Sequence, residues 1–167
     1  MPKLKKAAPK SKSGKKVSQK ILRQVASLPL RRSEDGKIEV LLVTSRETRR
    51  WIIPKGWPMK GRKQHEAAAV EAEEEAGVIG NTRKKAIGYY FYGKRRANER
   101  VELCRVSVYL LTVVRELDNW PEKNQRDVKW VSTEMAAEMV QELELAELIR
   151  KIGSIQLPQL EAAAKSD

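Results

Sequence analysis

Four of the five residues at positions 71–75 are glutamates, in the run EAEEEA. On a helix turning about 100° per residue, Glu71, Glu74 and Glu75 share one face because they are spaced i, i+3, i+4. Glu73 points away from them. Like charges at these spacings cost a helix a few tenths of a kcal/mol per pair. A divalent cation gripped by the three carboxylates would offset that repulsion. The chain has one cysteine, Cys104, and one histidine, His65, so multi-cysteine and histidine-rich metal sites are excluded. Oxygen ligands point to Mg²⁺ or Mn²⁺.

The neighbourhood gives the acids a purpose. No acid occurs from Thr48 to His65, where Arg49, Arg50, Lys55, Lys60, Arg62 and Lys63 fall. None occurs from Ala76 to Asn98 either, where Arg83, Lys84, Lys85, Lys94, Arg95 and Arg96 fall. An acidic face between two cationic stretches suits a metal ion with a phosphate-rich ligand. Carboxylates hold the metal, Lys and Arg hold the phosphates, and Gly56 and Gly61 let backbone N–H groups approach oxyanions.

The segment GWPMKGRKQHEAAAVEAEEEAGV resembles the Nudix box, GX5EX7REUXEEXGU, in which U is a bulky aliphatic residue. Gly56 takes the first Gly, Glu71 the Glu of RE, Glu74 and Glu75 the EE pair, Gly77 the second Gly and Val78 the last U. Arg62 stands where the box has Glu, and Val70 where it has Arg. In the family those two residues pair and help orient the first catalytic Glu, so both halves of one support are replaced together. RRWIIPKGW and ELDNWPEKNQRDVKWVS extend the resemblance to the branch that hydrolyses diphosphoinositol polyphosphates and diadenosine polyphosphates.

The resemblance implies a Nudix-like α/β/α sandwich with a mixed sheet and Mg²⁺-dependent (or Mn²⁺-dependent) hydrolysis of a diphosphate in a highly anionic substrate. Glu71, Glu74 and Glu75 would bind the metal, one carboxylate helping to deprotonate the attacking water, with Glu71 and Glu74 both open for that role. Arg50, Lys55 and Gly56, with Arg96 or Arg100 and Arg126 or Lys129, are the implied polyphosphate contacts. A non-catalytic polyphosphate or nucleic-acid binder on the same scaffold is the rival reading, and a nucleobase-reading sanitiser of the nucleotide pool a third.

The elements that must position these residues follow from pattern. Ile21–Arg31, the turn SEDGK and Ile38–Val43 read as a β-hairpin. Arg50–Pro54 is a short strand, and KGWPMKG an irregular loop. The Ala/Glu-rich stretch Gln64–Ala76 is a helix with Gly77 as its C-cap. Strands are expected at Ala86–Tyr92, Glu102–Val114 and Asp127–Val131, then helices from an N-capping Thr133 to Gln141 and from Leu143 to Ile152. Met135, Ala136, Met139 and Val140 read as core contacts and Cys104 as a small core residue. His65 reads as a surface or capping residue, and Trp57 as the ring best placed to face a ligand.

At 167 residues and 19.1 kDa the chain fits one domain, expected over 17–153. The net charge is +12, and seven lysines without an acid fall in the first sixteen residues. That stretch, 1–16, reads as a disordered, solubilising tail able to touch polyanions without specificity, and 154–167 as weakly ordered. No apolar run reaches the roughly 18–20 residues of a membrane span, and the polar N-terminus does not read as a signal peptide. A reducing, cytoplasmic setting and a polyphosphorylated small-molecule substrate are therefore expected, with no membrane partner.

The replaced pair can be tested directly. Arg62→Glu or Val70→Arg alone leaves one charge unmatched, whereas the double change restores the pair and an Arg able to hold Glu71. A double-mutant cycle on Mg²⁺-dependent turnover is expected to give positive coupling of about 1 kcal/mol; simple additivity would mean that the support has been rebuilt elsewhere.

Overall fold

The computed structural model describes residues 20–155. The basic stretch 1–16 and the C-terminal stretch beyond 155 lie outside them. The elements are β1 (Leu22–Arg32), β2 (Ile38–Thr44), β3 (Trp51–Ile52), β4 (Lys55–Gly56), α1 (Gln64–Ala76), β5 (Val78–Thr82), β6 (Gly88–Arg95), β7 (Val101–Glu116), β8 (Val128–Ser132), α2 (Thr133–Met139) and α3 (Leu143–Ser154). No helix among the described residues is long and apolar enough to cross a membrane.

β1 is the hub of an eight-stranded mixed sheet. It pairs antiparallel with β2 and β4, and parallel with β7. β7 in turn carries β5 and β6, and β2 carries β3 and β8. Period-two alternation divides the side chains between two faces. Ala26, Leu28, Val40, Leu42, Val106 and Val108 join Leu145, Ile149 and Ile152 of α3 in one core. On the other face, Leu41, Val43 and Leu111 meet Ala72 and Ala76 of α1, and Val25 and Tyr109 meet Ala67 and Ala68. The expected α/β/α sandwich is the architecture found.

α1 can lie close to the sheet because its buried positions, Glu75 apart, are alanines. The Glu66 carboxylate accepts the Lys63 backbone N–H at 2.8 Å, closing the first turn. Gly77 ends the helix in the left-handed conformation, at φ 66°, and its N–H bonds back to the Glu73 carbonyl. A side chain there would also strike Trp120, since an added Cβ falls 2.3 Å from the indole. That contact seats the 117–126 loop on the end of α1. The Leu117 N–H donates to the Gly77 carbonyl and the Glu122 N–H to the Glu74 carbonyl.

Four local expectations are corrected. β5 was not foreseen: Val78–Thr82 is short and holds Gly80, whose bare backbone approaches the Thr112 carbonyl, beside a register shift in its ladder with β7. Lys55–Gly56 is not wholly irregular but pairs with Val25 and Ala26. The N-cap of α2 is Ser132, whose Oγ accepts the Met135 N–H, and Thr133 is the buried first helical residue. Met135 faces solvent at 50% exposure, whereas Ala136 and Val140 are buried as expected.

Gly77→Ala should therefore cost more than a simple left-handed glycine replacement, roughly 2–3 kcal/mol in urea unfolding. Adding Trp120→Ala should recover the part due to the clash; equal losses in both backgrounds would show that Trp120 does not press on this turn.

Candidate active site

The cleft opens where the C-terminal half of α1, the β3–β4 segment, β6 and the loops 45–50 and 122–126 meet. Its volume is about 660 Å³, and its walls include Arg46, Arg50, Lys55, Gly56, Glu71, Glu75, Lys94, Arg95, Glu122 and Arg126. Positive and negative side chains thus face the same space, as the sequence pattern implied.

Helical geometry sorts the glutamates. Glu71 is half-buried and Glu75 buried at 5% exposure, both in the cleft wall, whereas Glu74 and Glu73 are exposed. Glu75 is the only charged residue among the described buried ones. Its Oε2 accepts the Lys55 backbone N–H at 3.3 Å, and its Oε1 lies 3.0 Å from an Arg126 nitrogen. Glu71 presses against the β4 backbone so closely that a Cβ at Gly56 would fall 2.0 Å from its Oε1. Gly56 therefore serves the carboxylate as much as any ligand.

Burial drives the electrostatics of this wall. It pushes the Glu71 carboxyl up to about 7, helped by the nearby charges of Glu74 and Glu122 and opposed by Arg126 and Lys55. The Glu75 carboxyl is also raised by burial, against the pull of Arg126 and Lys55. The Lys55 ammonium is lowered by its own burial, with Glu75 holding it up, and it sits over the Tyr92 ring at 5.2 Å. Every charge here would gain from a ligand of opposite sign.

Arg126 braces the acids. Its side chain, 7% exposed, reaches the Thr44 carbonyl at 3.0 Å, Glu75 at 3.0 Å and Glu122 at 3.3 Å. Arg46 reaches Glu122 from the other side at 3.5 Å. Arg50, in the cleft wall, pairs with Glu142 at 2.5 Å.

Of the residues singled out in the sequence, Glu71, Glu75, Arg50, Lys55, Gly56 and Arg126 converge on the cleft. Glu74 stands beside it on the exposed side of α1. Arg96 lies outside the cleft wall, paired with Glu102 and 5.6 Å from the Trp57 ring centroid. Arg100 is exposed beyond it at the tip of the β6–β7 hairpin, and Lys129 is exposed on β8. Trp57 does line the cleft, 42% exposed, with the Lys94 ammonium 5.3 Å from its centroid. Arg62 is exposed in the turn before α1, and Val70 is half-buried within it. Cys104 is buried, which raises its thiol, and it stands apart from the cleft wall as a core residue.

Sequence reasoning missed Glu122 and Arg46. Lys94 and Arg95 carried a signal in the second acid-free stretch. Glu122 carried none, because the docking of its loop on the end of α1, through Trp120 and two backbone hydrogen bonds, is what delivers it to the helix.

Among the described residues, no three His, Cys, Asp or Glu side chains close a ready metal cage. The donors nonetheless fit a hard cation of the Mg²⁺ type, which takes one or two protein carboxylates and fills its shell with waters and substrate phosphates. Glu71 and Glu75 share one wall and are held there against the cost of burying their charge.

A family model described as NUDIX domain matches residues 22–152. The chain belongs to the Nudix hydrolase family. Nudix hydrolase 16, mitochondrial, of Arabidopsis thaliana is 39% identical over 109 residues, 64% of this chain and 61% of that protein. Diphosphoinositol polyphosphate phosphohydrolase 3-beta of Homo sapiens is 34% identical over 106 residues, 62% of this chain and 60% of that protein. The chain spans about half to six tenths of the length of the first curated relatives it matches. In fold it is similar to the Ap4A hydrolase of C. elegans in a binary complex, with a TM-score of 0.60 at 24% identity over 79% of this chain and 95% of that one. The segment that resembles the Nudix box is the β4–α1–Gly77 unit, and Nudix enzymes generally use divalent cations.

The raised carboxyl groups make a signed prediction. Glu71 binds its proton more tightly folded than unfolded, so its contribution to stability is complete below about 4.5 and is lost as pH rises through about 7. Melting temperatures measured in EDTA should fall across that window, and Glu71→Gln should flatten the fall. A divalent cation should restore stability above pH 7. An unchanged slope in the variant would remove Glu71 as its source.

Proposed function

We propose that the protein is a Mg²⁺-dependent pyrophosphohydrolase acting on a highly anionic substrate, either a diphosphoinositol polyphosphate or a dinucleoside polyphosphate. The observation that carries this reading is the cleft wall where Glu71 stands against Gly56 and Glu75 against the Lys55 N–H, among Arg50, Lys55 and Lys94. Similarity to a diphosphoinositol polyphosphate phosphohydrolase supports the first substrate class.

Glu71 and Glu75, with Glu74 at the margin, are the carboxylates proposed to hold the cation. When bound it would neutralise charge on the diphosphate and lower the barrier to attack by water. Arg50, Lys55 and Lys94 would gather the phosphates and hold them in line. Arg126, engaged by Glu75 and Glu122, acts in this reading by fixing the acids and not as a free phosphate ligand. One carboxylate would accept a proton from the attacking water, and Glu71 and Glu74 both stay open for that role, because a bound cation would lower the raised proton affinity of Glu71. Arg96 and Arg100 lie outward of Trp57 and would meet only a substrate that extends past that ring. A reducing, cytoplasmic setting is also proposed, on the ground that a chain with one cysteine forms no internal disulfide.

A second reading, a polyphosphate or nucleic-acid binder without turnover, is favoured by Arg62, Val70 and the seven-lysine stretch. Calorimetry with Mn²⁺ separates the two, because the enzyme needs a cation at Glu71 and Glu75 and the binder does not. Salt-sensitive polyanion binding that weakens on removing 1–16 would favour the binder.

The deciding experiment is a substrate panel of diphosphoinositol polyphosphates, dinucleoside polyphosphates, nucleoside diphosphate sugars and capped or triphosphorylated RNA. Turnover should require Mg²⁺ and should drop by at least about a hundredfold in Glu75→Gln. Activity that survives both Glu74→Gln and Glu75→Gln unchanged would overturn the site.

A further inference from the structure

Glu142 lies outside the Nudix box, in the turn between α2 and α3, yet its side chain is only 9% exposed and touches the cleft arginine Arg50. The carboxylate is not spent on the helix. Glu142 occupies the N-cap position of α3 but makes no side-chain cap bond. One oxygen, Oε1, takes the Arg50 guanidinium at 2.5 Å, and the other, Oε2, is buried without a partner. A buried ion pair with an orphaned oxygen stabilises a fold poorly, and an apolar pair of the same volume would do as well or better. The acid needs a different explanation.

Arg50 supplies it. Its backbone is fixed at both polar groups: the N–H donates to Ser45 Oγ at 3.1 Å, and the carbonyl accepts the Ser45 N–H at 2.9 Å. The far end of the side chain is fixed by Glu142, and the side chain as a whole is 23% exposed in the cleft wall. Only one of its nitrogens, NH1, is used by that contact. Two other cleft arginines, Arg46 and Arg126, are engaged by Glu122, and Arg126 by Glu75 as well. Arg50 alone among these three has a carboxylate partner outside the acidic wall.

We propose that Glu142 is a positioning residue for the polyphosphate site: it holds the Arg50 guanidinium ready for a phosphate and keeps it off Glu71 and Glu75. Released, the long side chain would be drawn to the acids in the same cleft and would compete there with a cation. The α2–α3 turn is in this way part of the ligand-binding apparatus. The inference rests on the polyphosphate reading of the cleft.

Calorimetry on the full chain with inorganic tripolyphosphate, and separately with Mn²⁺, tests it. Glu142→Gln and Arg50→Gln should each weaken tripolyphosphate binding roughly tenfold, and the double variant should be no weaker than Arg50→Gln alone. Glu142→Asp, which keeps the charge on a shorter stem, should retain part of the affinity. Mn²⁺ affinity should fall in Glu142→Gln and return in the double variant, a pattern that a purely structural role would not produce. Additive losses, or a Glu142→Gln protein that melts lower but binds tripolyphosphate normally, overturn the inference alone. A wild-type protein that binds no tripolyphosphate overturns the functional reading and this inference with it.

Discussion

The guanidinium of Arg126 ties together three stretches that are distant in sequence: the end of β2 through the Thr44 carbonyl, α1 through Glu75, and its own loop through Glu122. Without a cation at that point, two largely buried carboxylates would face each other partly out of water, where like charges repel more than in bulk solvent. Arg126 converts that repulsion into an attraction to a common centre. Its guanidinium has the geometry for the task, since planar N–H groups can serve a carbonyl and two carboxylates at once, as a single ammonium could not do as well. The cleft keeps its shape because the charge that sits beneath it is balanced.

Small residues make the rest of that arrangement accessible. Alanines at the buried positions of α1 draw the helix close to the sheet, Gly56 lets Glu71 lie against β4, and Gly77 lets Trp120 close over the helix end. Each removal of a side chain brings a charged group or a loop nearer to the same point. Proximity to the sheet is also what desolvates Glu71 and Glu75. The packing that makes α1 stable is thus the packing that makes its acids unusual, and stability and chemistry here share one cause.

Much of this was legible from the chain. The α1 boundaries and its Gly77 cap follow from Ala/Glu composition and a single glycine, because helix propensity and capping are local properties. The i, i+3, i+4 rule placed Glu71, Glu74 and Glu75 near one another, but could not say which would be buried, since that depends on where the sheet meets the helix. β5 escaped notice because five residues containing a glycine carry no periodicity of their own; its partner β7 makes it a strand. Glu122 and Glu142 were silent for the same reason. Each is one acid among many until a distant turn brings it to Arg126 or Arg50. The split of Arg126 from the free phosphate contacts likewise depends on a partner more than fifty positions away.

The parallel pairing of β1 with β7 has a consequence for how the molecule is made. Leu22 is matched with Cys104 and Leu30 with Thr112, so the central strand of the sheet has no parallel neighbour until most of the chain exists. On a ribosome, β1 and β2 emerge early and can form their hairpin, but one edge of β1 must wait through the synthesis of α1, β5 and β6. During that interval the apolar faces of β1 and β2 are open. Closing so long a loop is entropically costly, and the late arrival of β7 is the step at which the sheet, both helical layers and the cleft become one cooperative unit.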